Sequence, residues 1–308
     1  DIHMGTDGMN MQCITCHKTE DHNISGKLYS LSSMNRNRAY CEDCHSSTPH
    51  KDDIINEHNL KVACQSCHIP VYAKANSTKM YWDWSTAGKL KNGEPYEEDD
   101  SLGNHTYLSI KGSFKWERNV KPDYIWFNGT ASHYLKGDKI ADASKPLVLN
   151  KLHGSYSDDE SKIYPVKIHI AKQPYDPVNK ILIQPKLFAE KKGEGAFWQD
   201  FDWQRAAEVG MKESNLPYSG KIDFIETEMY WPVNHMVSKK EDAVSCNECH
   251  TRSKEGRLNK LNGFYLPGRD YVAAIDTTAY TFIILAFIGI VIHSSIRIIS
   301  KRKNKGDN

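Results

Sequence analysis

Hydrophobic positions are distributed unevenly along this chain. One block, 277–296 (TTAYTFIILAFIGIVIHSSI), runs without a formal charge. At about 1.5 Å rise per residue it predicts a helix roughly 30 Å long, which matches the hydrocarbon thickness of a bilayer. Arg297, Lys301, Arg302, Lys303 and Lys305 follow at once. Basic residues clustered at one end of a span mark the cytoplasmic side, so the body of the chain is expected in the periplasm or at the cell exterior. Elsewhere the apolar runs are short. "IYPVKIHI" and "KILIQP" alternate between turn signals and predict strands, while "FDWQRAAEVGMKES" carries helical spacing near 201–214.

The rest of the chain is too polar for a conventional aliphatic core. Apolar residues make up 39% of the 308 positions and mean hydropathy is −0.64, yet there are 7 Trp and 16 Tyr. Flat side chains suit packing against flat cofactors. Lysine plus arginine (40) balances aspartate plus glutamate (39), which gives no basic excess for nucleic acid and no acidic excess for disorder.

The 8 cysteines change the picture. They form Cys13-Cys16-His17, Cys41-Cys44-His45, Cys64-Cys67-His68 and Cys246-Cys249-His250, with none left over. A disulfide framework gives no reason for a histidine after every second cysteine. Structural zinc takes four ligands, whereas two such units would offer six. Covalent haem accounts for every element: two sulfurs add to the porphyrin vinyl groups and the adjacent imidazole reaches the iron as proximal ligand. Four haem c groups are therefore expected, and they would supply apolar mass that the composition lacks.

The chain holds 14 histidines. Distal candidates are His22, His50, His58 and His235, followed by His169 and His3, then His105, His133 and His153. The surplus points to structural histidines or to haems on an N-terminal segment or partner chain. His293 and Arg297, near the cytoplasmic end of the apolar block, are expected to reach for the interface.

The expected fold is a multihaem cytochrome c of short helices and loops organised around the haems, with few short strands and one C-terminal transmembrane helix. Residues 1–75 are expected as a three-haem unit and 76–240 as a haem-free wrapping region supplying distal ligands. The fourth haem segment is 241–270, the membrane helix 277–299 and the cytoplasmic basic tail 300–308.

The stretches "DHNISGK", "CHSSTPHKD", "KVACQSCHIP", "YWDWSTAGK", "FKWERNVKPDYIWFNGT", "KQPYDPVNK", "ETEMYWPVNHMV" and "GFYLPGRD" resemble the C-terminal part of the octahaem tetrathionate reductase family. That resemblance runs to about Asp270. It implies mostly bis-histidine haems and, in the family's N-terminal half, one lysine-ligated haem where tetrathionate, nitrite or hydroxylamine is reduced. This chain carries four motifs, and the lysine maps onto no residue here.

Two functions follow. One is a membrane-anchored electron carrier passing electrons between redox partner proteins or other haem-bearing subunits. The other is part of a multihaem reductase, which requires one iron with an exchangeable position. A conductive filament is disfavoured by the membrane tail.

Overall fold

In the computed structural model, residues 1–26 and 33–306 are described, with side chains through 300. They fall into two compact units, Asp1–Ser245 and Cys246–Asn308.

The first unit is built on a sheet. Among the described residues, ten strands join with order β4-β5-β6-β3-β10-β12-β9-β8, and β7 and β11 also pair with β10. The organising strand is β10 (Lys162–Asp176), 15 residues long. Its central part pairs antiparallel with β12 (Asp223–Pro232), from Val166↔Pro232 to Tyr175↔Asp223, and parallel with β3 (Thr78–Asp83). Its first residues pair with β7 (Asp123–Phe127) and its last two with β11 (Ile181–Leu182). Pro165, which has no N–H to give a ladder, stands at the last β7 pairing, where β10 changes partners. β6 (Gly112–Glu117) extends the sheet beyond β3, with β5 (His105–Leu108) and β4 (Glu97–Asp99) outside it. β9 (Leu147–Leu152) and β8 (Ala131–His133) continue from β12.

This corrects the expectation of few strands. The runs "TKMYWD", "GSFKWE" and "DYIWF" are strands β3, β6 and β7. Aromatic residues favour a pleated, half-buried surface, and here they pack on one another: Trp82 lies 4.7 Å from Trp84 and 5.5 Å from Phe114. Only the first segment follows the expected pattern of short helices and turns, with α1 (Cys13–Cys16), the two-residue strands β1 (Thr19–Glu20) and β2 (Asn23–Ile24), α2 (Asp53–Glu57) and α3 (Cys64–His68).

After the turn α4 (Phe197–Asp200), the predicted helix near 201–214 is found as α5 (Trp203–Glu213). Its N-cap Asp202 accepts from the Arg205 amide, as capping chemistry requires. Its buried face is Ala206, Ala207, Gly210 and Met211. Ala207 and Met211 pack on Ile181 and Ile183. Gly210 is needed because a Cβ there would lie 2.6 Å from the Pro185 carbonyl carbon and closer still to Gln184 O.

The second unit holds α6 (Cys246–Cys249), a long loop and α7 (Ala273–Gly306). Arg269 braces the loop through the carbonyls of Leu258, Leu261 and Phe264 and through Asp270. In α7, the most apolar 18-residue window within Ala273–Ser300 has mean hydropathy 2.3, and none of it is buried. The apolar block is thus one long exposed helix. In the expected basic tail 300–308, the side chains from 301 lie outside the described residues.

Candidate haem centres

All four cysteine pairs sit on single helical turns. His17 N–H donates to Cys13 O at 2.9 Å, His45 N–H to Cys41 O at 2.9 Å and His250 N–H to Cys246 O at 2.8 Å, while His68 ends α3. At 3.6 residues per turn, positions i, i+3 and i+4 share one face. Each turn therefore presents two sulfurs and one imidazole together, as attachment of one porphyrin demands. No disulfide joins any of the 8 cysteines. The Cys41 and Cys64 sulfurs lie close enough to interact with each other. The attachment points of the second and third motifs are thus in contact.

Three of the motif histidines face a second imidazole. Ring centroids are 6.2 Å apart for His17 and His235, 6.1 Å for His45 and His3, and 6.2 Å for His68 and His50. Interplanar angles are 43°, 64° and 10° respectively. Direct ring packing would couple distance to tilt, yet here the distance is constant while the tilt varies. Two metal–nitrogen bonds of about 2 Å, plus about 1.1 Å from each nitrogen to its ring centre, require about 6 Å. One iron held between two imidazoles fits all three pairs.

The tautomers agree. A carbonyl can only accept, so a ring nitrogen bonded to one carries the proton. His17 Nδ1 donates to Ser25 O at 2.8 Å and His250 Nδ1 to Pro267 O at 2.7 Å. Each leaves Nε2 with its lone pair for a metal. The same device recurs in both places: the accepting carbonyl precedes a glycine in the left-handed region, Gly26 at φ +85° and Gly268 at φ +83°. A Cβ on Gly26 would lie 2.5 Å from His17 Cε1, and one on Gly268 would lie 2.8 Å from His250 O. Among the distal rings, His50 Nδ1 lies 3.2 Å from Asn56 Oδ1. Burial, followed by the facing ring, lowers the pKa of His3, His68 and His235. The neutral form so favoured is the one that binds metal.

Long-range backbone bonds bring these groups together. Ala63 N–H donates to Ile163 O at 3.0 Å and Ile163 N–H to Lys61 O at 2.7 Å, which pins the start of α3 to β10. Beyond β12 the chain returns to the motifs, where Ser238 N–H donates to His68 O at 2.8 Å and Val244 N–H to Cys67 O at 2.9 Å. Ile2 N–H donates to Val237 O at 2.8 Å, and Asp1 Oδ2 accepts from Met236 N–H at 2.7 Å. Asp1 Oδ1 also accepts from His3 N–H at 2.9 Å. One carboxylate thus joins the segments that carry His3 and His235.

The other candidates lie outside these three pairs. His22 is exposed between β1 and β2 at φ +62°. His58 Nδ1 donates to Ile54 O at 2.8 Å, which leaves the lone pair on Nε2. His105 pairs with Asp99 at 2.7 Å, and the His153 amide bonds Thr130 O. His133 and His169 each bury an Nε2 without a partner among the described residues. His169 sits on β10 opposite Met229, near Lys167 and Lys79. Burial, then these two lysines, lowers its pKa to about 4. Sequence reasoning missed the two lysines and Asp1. The alternation in "VKIHI", which puts Lys167 and His169 on one face, was the available signal for the first.

Comparison with known proteins agrees with this geometry. The family described as bacterial cytochrome c matches residues 79–253, more than half of the chain. The octaheme cytochrome c from Shewanella oneidensis superposes with a TM-score of 0.74 at 46% sequence identity, over 83% of this chain and 58% of that one. The chain therefore spans less than two thirds of that relative's length. No curated protein matches it. Helical cysteine–histidine turns, facing imidazoles at a one-metal separation and the family match converge, and the chain belongs to the bacterial cytochrome c family, whose haem is covalently bound.

Proposed function

We propose that the chain is a membrane-anchored multihaem cytochrome that carries electrons outside the cytoplasmic membrane. Four haem c groups would be held, one by each cysteine pair, with His17, His45, His68 and His250 as proximal ligands and His235, His3 and His50 as distal ligands of the first three. Bound haem supplies one-electron redox chemistry. The residues of the chain do the rest: they fix both axial nitrogens, exclude exchangeable ligands and set the attachment points of the second and third haems against each other through Cys41 and Cys64.

The observation that carries this reading is the set of three histidine pairs at 6.1–6.2 Å. A second imidazole saturates an iron and suits it to electron transfer rather than to substrate binding. Anchoring is supported by the exposed apolar helix Ala273–Ser300, and the basic residues after it favour a cytoplasmic C-terminus. Since the chain spans 58% of the octaheme relative, further haem-bearing segments or subunits are proposed as its redox partners.

Optical and electron paramagnetic resonance spectra with and without cyanide or nitrite test the ligand set. The three paired haems should stay low-spin and unshifted. A shift at any of them would favour reduction of a small oxyanion or hydroxylamine at an open iron.

A further inference from the structure

One face of the sheet collects cations. Residues alternate along a strand, so Lys167, His169 and Ala171 of β10 share a face. Ala171 is level with Trp82 of β3, and Trp82 with Phe114 of β6, which puts these rings on the same face. Lys79 belongs to it as well: its Nζ lies 4.4 Å from the Trp82 ring centre, 3.9 Å from Phe114 and 5.1 Å from Trp116. Across β10, His169 and Lys167 are opposite Met229 and Trp231.

The three basic side chains are half-buried, and among the described residues no carboxylate bonds them. Lys167 Nζ donates to Thr78 Oγ1 at 2.7 Å, Lys79 is held by aromatic faces, and His169 Nε2 is buried without a partner among the described residues. Each lies close enough to the others that their charges oppose one another. An anion is the usual remedy for desolvated cations, and among the described residues no carboxylate forms an ion pair with Lys79 or Lys167.

We propose that Lys79, Lys167 and His169 form a binding site for an oxyanion, with Lys167 and His169 donating to its oxygens and Lys79 contributing charge from its aromatic cage. The shared chemistry is a small negatively charged oxygen group. Its source is either a free inorganic oxyanion or a small free carboxylate. This site stands independently of the electron-transfer reading.

The experiment is thermal unfolding of the full haem-loaded chain in detergent, titrated with sodium sulfate or sodium acetate against chloride at matched ionic strength. Binding to the folded state raises Tm in a saturable way, whereas the general salting effect of sulfate is not saturable. A saturable rise with sulfate alone assigns the site to inorganic oxyanions. A rise with acetate as well assigns it to carboxylates. In either case the K167Q/H169Q double variant should lose the rise, with haem content by pyridine hemochrome unchanged. No saturable rise with either salt, or the same rise in the variant, overturns the proposal. If the double variant fails to fold, K167Q alone should weaken the half-saturating concentration about tenfold, and an unchanged value also overturns it.

Discussion

At the scale of the residue, the chemistry is written twice, once in sequence and once in space. The cysteine–histidine turns are legible directly, because thioether attachment fixes a local spacing that one helical turn satisfies. The distal ligands are not, because nothing local ties His235 to His17 or His3 to His45. Only the folded chain shows which of the fourteen histidines face one another. His50 and His68 have nearly parallel planes at 10°, while His3 and His45 are crossed at 64°. Parallel imidazole planes split the iron d orbitals more than crossed planes do. The oxidised protein is thus expected to give one rhombic low-spin signal from the His50–His68 centre and one strongly anisotropic signal from the His3–His45 centre. Three identical spectra would contradict these tilts.

At the scale of the element, Asp1 and Asp176 show how single carboxylates hold segments in register. Asp1 bonds the amides of His3 and Met236, so Asp1→Ala should perturb the spectra of the His3–His45 and His17–His235 centres together. The His50–His68 signal should stay unchanged, and a variant that alters all three equally would argue against a local clamp. Asp176, which is fully buried, accepts from Val178, from Asn179 twice and from Ser219 twice, at 2.7–2.9 Å. Burial would raise its pKa, but the bonds from Asn179 and Ser219 prevail and hold it at about 2. The folded value lies below the unfolded value of about 3.9, so the stabilisation is present above pH 4 and is lost as pH falls through 2. In denaturant unfolding, Asp176→Asn is expected to cost about 2 kcal/mol at pH 7 and progressively less toward pH 2. A cost independent of pH would assign the loss to packing alone.

The strands illustrate what the sequence leaves hidden. "IYPVKIHI" reads as a strand by alternation, and it is the first half of β10. β3 and β6 are just as regular, but their Trp, Tyr and Phe suit both a pleated surface and a cofactor wall. Only pairing between distant segments, such as Ile170 with Tyr81 and Trp82 with Phe114, decides between these.

At the scale of the whole molecule, the composition explains why haem and fold are bound together. Much of the first segment is exposed in the polypeptide alone, including Ile14, Ile24, Ile54 and Leu60, and porphyrins would cover such surfaces. The apolar helix is a separate matter. Removal of 273–308 should release the protein from membranes into the soluble fraction with its haem spectrum intact. Persistent membrane association would place the anchor elsewhere.

Intact mass of the purified chain, recorded under denaturing conditions, tests the central claim most directly. The account predicts a single species heavier than the polypeptide by four haems, because thioether bonds survive unfolding. A mass equal to the bare polypeptide, or lowered only by the hydrogens lost to disulfides, would contradict it.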